Sequence, residues 1–304
     1  METGITIFYQ IVKMFLMMSI GYFLYSKKWV NEDGSQQMAN ILLRICAPAI
    51  TIVSFNIEFS KEKLYGIIVA FVLSFLSIII GLIIARIVYG NKNRIEQFAI
   101  GFSNSVFMGL PLVQGLLGIE YVMYISAYMV VFNLLSWTIG IYLVSGRKDL
   151  ITPKLILTSP AMIGLVIGFI VFVSPIKLPF IIEESLSIVG SMNTPLAMIV
   201  LGTYVAKSNI VEVFKNKQAY IVSLFRLIVV PIVIMLVFIL IPNTYMDIKK
   251  VVIIASSTPT AVTVAMLAQQ YGGDFKQGAI IISLTTIFCL ITMPLMIMLA
   301  QVIW

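Results

Sequence analysis

GFSNSVFMGLPLVQGLLG, residues 101–118, lies inside an apolar segment long enough to be one uninterrupted membrane helix, yet it holds an Asn, two Ser, a Gln, four Gly and a Pro. Pro111 has no N–H, so the carbonyl of Phe107 loses its helical donor. In hydrocarbon such a group needs another partner. The same situation recurs in SSTPTAVT, residues 256–263, where Pro259 deprives Ala255 of its donor among Ser256, Ser257, Thr258, Thr260 and Thr263. Hydroxyls and amides stand where lipid-facing positions call for Leu or Ile. Both segments are therefore expected to be helices broken at mid-membrane that line a polar cavity. Broken half-helices expose N-terminal N–H groups, which favour anions, and C-terminal carbonyls, which favour cations.

The membrane setting follows from composition. Of 304 residues, 60% are hydrophobic and 11% charged, and the mean hydropathy is +1.06, far outside the range of a soluble domain. The first apolar run begins at Gly4 without a basic stretch before it and is read as a retained helix. A net charge of +7 arises from short Lys/Arg clusters between apolar runs. That pattern suits lipid head groups and gives no reason to expect nucleic acid. Cys46 and Cys289 are lone residues in apolar surroundings and read as packing residues. There is no His, which removes His-based metal sites and general bases. The chain also lacks the paired acidic motifs of metal-dependent membrane enzymes, so no enzyme, no cofactor and no bound metal are expected.

Windows of about 20 apolar residues give an all-α fold of ten transmembrane helices, near 5–26, 37–57, 64–88, 96–118, 120–144, 154–174, 180–206, 217–240, 250–271 and 277–301. The loops after the odd-numbered spans carry twelve Lys and Arg against five on the other face. By the positive-inside bias both termini of this multi-pass cell-membrane protein face outward. The chain also repeats. Pro48 in RICAPAITIV and Pro195 in SMNTPLAMIV are 147 residues apart, and Pro111 and Pro259 are 148 apart. Residues 1–149 and 150–304 thus read as two five-helix repeats. Five is odd, so the second repeat enters from the opposite side, as in many secondary transporters.

Every Asp and Glu falls in a loop or near a helix end, whereas Lys13, Arg44 and Arg226 sit deeper, roughly 12–15 Å along their helices at 1.5 Å per residue. Such cations either snorkel or face a protein cavity. Cations without mid-membrane carboxylates favour an anionic solute. Carbonyls freed near Pro111 and Pro259 leave Na⁺ binding, and hence a sodium-coupled symporter of an organic solute, as the alternative.

The segments GYFLYSKKWVNEDGSQQMANILLRICAPAI, GFSNSVFMGLPL with GIEYVMY, NTPLAMIVLGTYV and STPTAVTVAMLAQQYGGD together resemble the auxin efflux carrier (PIN-FORMED-like) family of membrane transporters, in its bacterial form. The resemblance implies two inverted five-helix repeats similar to the bile-acid sodium symporter and sodium/proton antiporter folds. Helices 1, 2, 6 and 7 would form a scaffold that pairs into a homodimer, and helices 3–5 with 8–10 a mobile transport domain. Helices 4 and 9 would cross at Pro111 and Pro259 with the substrate beside them. The family's helix 4 Asn falls on Asn104, but helix 9 here has Ser and Thr where an Asn is expected. The resulting expectation is a carrier of a small organic anion, auxin-like or a dicarboxylate, working by elevator-type alternating access. The substrate would be held by Asn104, Ser103, Gly109, Pro111, Thr258, Pro259 and Thr260, with Lys13, Arg44 and Arg226 as charge partners.

Overall fold

The computed structural model describes residues 2–151, 158–174, 177–208 and 210–304, with side chains from residue 8 onward. Among them no β-strand forms, and seven helices are long and apolar enough to cross a bilayer. These are α1 (Glu2–Ser26), α2 (Glu32–Ser54), α3 (Lys61–Tyr89), α6 (Ile119–Ser145), α8 (Phe180–Lys207), α10 (Lys217–Phe238) and α13 (Phe275–Ile303). Between them lie the shorter α4 (Arg94–Gly101), α5 (Ser105–Leu116), α7 (Pro160–Val173), α9 (Ile210–Lys215), α11 (Met246–Ser256) and α12 (Thr263–Tyr271). The predicted fourth span is thus α4 followed by α5, and the predicted ninth is α11 followed by α12. The expected start of the sixth span at residue 154 lies outside the described residues.

Helix starts fall where the polar connectors supply caps. Asn31, Ser60, Ser159, Asn216 and Asp274 each accept a hydrogen bond from a first-turn N–H of α2, α3, α7, α10 and α13 respectively, satisfying one of the donors a helix leaves unpaired. α3 ends at Gly90, whose φ of +57° suits glycine. At 29 residues α3 is about 43 Å long, more than the hydrocarbon core requires.

Pro111 does not break its helix. The break falls at residues 102–104, and Pro111 sits in the α-helical part of α5 behind a π-turn, Ser105–Gly109. The same device precedes Pro48, with a π-turn at Leu42–Cys46, and Pro231, with one at Phe225–Val229. A proline ring presses on the carbonyl four residues back; widening the preceding turn moves that carbonyl aside and lets the helix continue. Pro259, by contrast, stands inside the break between α11 and α12. The 148-residue spacing of Pro111 and Pro259 therefore does not join equivalent places. The breaks centre on Ser103 and Thr260, 157 residues apart, which agrees with the separation of 156 between the starts of α3 and α10 and between those of α6 and α13.

Packing gathers the helices into two groups. α1 lies along the second half of α8, and α7 and the first half of α8 pack on the second half of α2. α3 packs on α4, α6 and α11, while α13 packs on α10 and α12. At the α1–α8 crossing the backbones nearly touch: a methyl group on Gly21 would overlap the carbonyl of Ile199, and one on Gly202 that of Met18. Close approach through small residues is how membrane helices gain contact without a hydrophobic drive. Gly202→Ala is expected to cost about 1–3 kcal/mol, the usual penalty for overpacking, read as a lower melting temperature in detergent. A variant that melts with the wild type would show that α1 can move off α8 freely.

Candidate functional site

The two breaks meet in antiparallel fashion. The Asn104 N–H donates to the Pro259 carbonyl at 2.8 Å, and the Ala261 N–H donates to the Phe102 carbonyl at 3.0 Å, closing a bridge between Ser103 and Thr260. Asn104 is the centre of an inverse γ-turn, with φ −78° and ψ 58°, closed by the Ser105 N–H on the Ser103 carbonyl at 2.8 Å. The turn reverses the chain tightly enough for the Asn104 carbonyl to accept from both Met108 and Gly109 as α5 begins.

Side chains of the crossing are mostly spent on holding it. The Ser103 hydroxyl pairs with the Tyr128 hydroxyl at 2.8 Å. Thr258 Oγ1 donates to the Ala255 carbonyl at 2.8 Å, and Thr260 Oγ1 to the Ala99 carbonyl at 3.0 Å. The Thr260 N–H donates to Thr285 Oγ1 at 3.3 Å. Gly109 is buried against Ile125 and Ala255, and Pro111 is buried within α5. Neither lines a cavity at the crossing. Tyr128 and Thr285 had no distinguishing sequence signal: each is one of several polar residues in its long span, and only folding brings it to the break.

Beside the crossing lies a cavity of about 320 Å³. Asn104, Ser105, Asn133, Thr263 and Arg44 contribute polar groups to a wall that includes Phe107, Trp137 and Met266. Asn104 Nδ2, Ser105 Oγ and Thr263 Oγ1 are buried without a hydrogen-bond partner. Buried polar atoms are rarely left so without a role. Among the described residues no Asp or Glu lines this cavity. The starts of both α5 and α12 do, through Ser105, Val106 and Phe107 on one side and Thr263 with the preceding Val262 on the other. The Ser105 N–H donates to the Ser103 carbonyl, the Val264 N–H to Ala261, and the Ala265 and Met266 N–H groups to Val262, so these helix starts offer the cavity mainly the partial positive charge of the helix dipole, about half a unit each. Arg44 adds a full charge. A second hollow, of about 370 Å³ and containing Glu32, Lys207, Gln269 and Gln270, shares Val262 and Met266 with the first.

The other two deep cations go elsewhere. Lys13 is exposed on α1, away from the crossing. Arg226 is 1% exposed and reaches the opposite side of the crossing, donating to the Ile100 carbonyl at 2.8 Å and to the Ser256 carbonyl. Those carbonyls belong to the ends of α4 and α11. Both cysteines are buried and free, and among the described residues no cluster of acids, Cys or His is arranged to hold a metal.

Helices interrupted in the middle of a membrane bundle, with a small, mainly apolar cavity carrying a few polar groups at the interruption, are the architecture of many secondary transporters. The chain belongs to the Membrane transport protein family, whose model matches residues 6–154 and 149–297, in agreement with the resemblance to the auxin efflux carriers. An uncharacterized transporter of Methanocaldococcus jannaschii is 25% identical over 294 residues, spanning 92% of this chain and 94% of the relative. The protein is a multi-pass membrane transporter and not an enzyme.

Replacing Tyr128 with Phe keeps the ring and removes the bond to Ser103. It is expected to lower stability by about 1 kcal/mol, the ordinary worth of such a bond, read in a thermal melt. No change would mean that this bond does not hold the crossing.

Proposed function

We propose that this transporter carries a small organic anion, a carboxylate, bound in the cavity beside the crossing. The observation that carries the reading is the meeting, in one cavity that no described Asp or Glu lines, of the starts of two helices, Arg44 and the unpaired amide of Asn104. A carboxylate bound there would accept from Asn104 Nδ2, from the unpaired hydroxyls of Ser105 and Thr263, and from Arg44. Charge-assisted bonds of this kind are the strong ones. The volume, about 320 Å³, is at the small end of ligand pockets, in keeping with a compact solute. Auxin-like acids and dicarboxylates both satisfy this chemistry. The hydroxyls of Ser103, Thr258 and Thr260 and the backbone at Gly109, Pro111 and Pro259 would shape the site from behind.

The packing supports an elevator-type movement. α1, α2, α7 and α8 would form the scaffold and the helices around the crossing the mobile body, so that the site travels with the crossing. The matching separations of α3 from α10, of α6 from α13 and of the two breaks support two inverted repeats. Charge placement supports outward-facing termini in the cell membrane, and the family resemblance supports a homodimer.

The test is a melting-temperature panel of mono- and dicarboxylates and indole acids, in wild type, Asn104→Ala and Arg44→Ala. A ligand of the folded state raises the melting temperature. Loss of Arg44 is expected to weaken the stabilising carboxylate about 10-fold or more, corresponding to a charged hydrogen bond of about 1.5–3 kcal/mol, and loss of Asn104 to remove the shift. A carboxylate shift of equal size in all three proteins would sink the assignment of this cavity.

A further inference from the structure

Where α4 and α11 end inside the bundle, each leaves C-terminal carbonyls pointing at the crossing. A helix C-terminus carries about half a negative charge, so two that converge present roughly one. In a carrier of this architecture that is the place a mobile metal cation would be drawn to. Here it is filled from within the chain: one guanidinium nitrogen of Arg226 is 2.8 Å from the carbonyl of Ile100, near the end of α4, and the other is bonded to the carbonyl of Ser256, the last residue of α11.

We infer that Arg226 is a tethered cation that occupies the carbonyl site of the crossing, so that this transporter needs no Na⁺ to assemble its binding site. Three observations converge. Arg226 is 1% exposed, so it does not snorkel. It forms no ion pair with an acid among the described residues, so the carbonyl ends are its counter-charge. Neighbouring carbonyls already have donors in the protein: those of Ala99, Phe102, Asn104, Ala255 and Pro259 accept from Thr260, Ala261, Met108 with Gly109, Thr258 and Asn104.

The placement separates the two polarities of the broken helices. Their N-termini face the cavity with Arg44, and their C-termini face Arg226. A buried charge fixed by covalent attachment cannot be exchanged for a solution ion, so its position is the same with or without an ion gradient. Arg226 is a positioning residue: it sets the relation of α4 to α11 and, through the bridge between Ser103 and Thr260, that of Asn104 to Thr263. The inference does not depend on which solute is carried.

The experiment measures the melting temperature of the purified protein in NaCl and in choline chloride at equal ionic strength, for wild type, Arg226→Lys and Arg226→Ala, with and without millimolar guanidinium. Wild type is expected to melt identically in the two salts. Arg226→Lys should retain most of the stability. Arg226→Ala should lose stability and recover about half or more of the loss with guanidinium or Na⁺, as a cation that binds only the folded state requires. Loss of packing alone gives no rescue by a small cation. A wild-type melting temperature raised specifically by Na⁺, or an Ala variant indifferent to every added cation, overturns the inference. Should the Ala variant not fold, the wild-type comparison still decides, because a second cation site would show as Na⁺ stabilisation. A failed anion panel with an unchanged cation result would count against the cavity alone.

Discussion

Two backbone breaks in the middle of a membrane bundle are tolerated because each break supplies the hydrogen bonds the other lacks. Away from water an unpaired N–H or carbonyl costs several kcal/mol, and neither break stands by itself. The Asn104 amide finds the Pro259 carbonyl and the Ala261 amide finds the Phe102 carbonyl. What remains exposed at the helix ends is divided by sign, with amide ends beside a cavity and carbonyl ends beside Arg226. The rest of the molecule is arranged about this junction. α3, α6 and α13 enclose it, and Tyr128 and Thr285 reach in from α6 and α13 to complete its bonding.

Four of the mid-membrane prolines divide into two mechanical kinds. Behind Pro48, Pro111 and Pro231 a π-turn absorbs the missing donor and the helix runs on. At Pro259 the chain leaves the helix altogether. Proline alone does not choose between these outcomes, since its steric demand is met equally by widening one turn or by abandoning the helix. The choice depends on what lies opposite. A partner strand of backbone was available to residues 258–261, whereas Pro111 is enclosed by the packed body of the bundle.

The polar side chains of the broken segments serve two ends that their residue types do not reveal. Ser103, Thr258 and Thr260 are turned inward to the crossing and hydrogen-bonded there, while Asn104, Ser105 and Thr263 keep atoms free toward the cavity. Arg44 and Arg226 are similarly alike in sequence, single cations in apolar spans, yet one lines the cavity and the other caps helices. A helix carries its residues to different faces at 100° steps, and whether a given face meets lipid, cavity or helix end is fixed by the neighbours.

Sequence alone determined the membrane setting, the places of the helices to within a few residues, and the two segments where regular helix fails, because hydropathy, charge and polar residues in an apolar run are local properties. It also pointed to Asn104 and to Lys13, Arg44 and Arg226 as the unusual deep residues, of which Lys13 is exposed on α1. Tertiary structure decided where the fourth span actually breaks, which hydroxyls are spent and which stay open, and that Arg226 holds the ends of α4 and α11. The contacts that decide this include pairs more than a hundred positions apart in the chain, such as Arg226 with Ile100 or Asn104 with Pro259. Their energies depend on distance and direction in space, which no local pattern encodes.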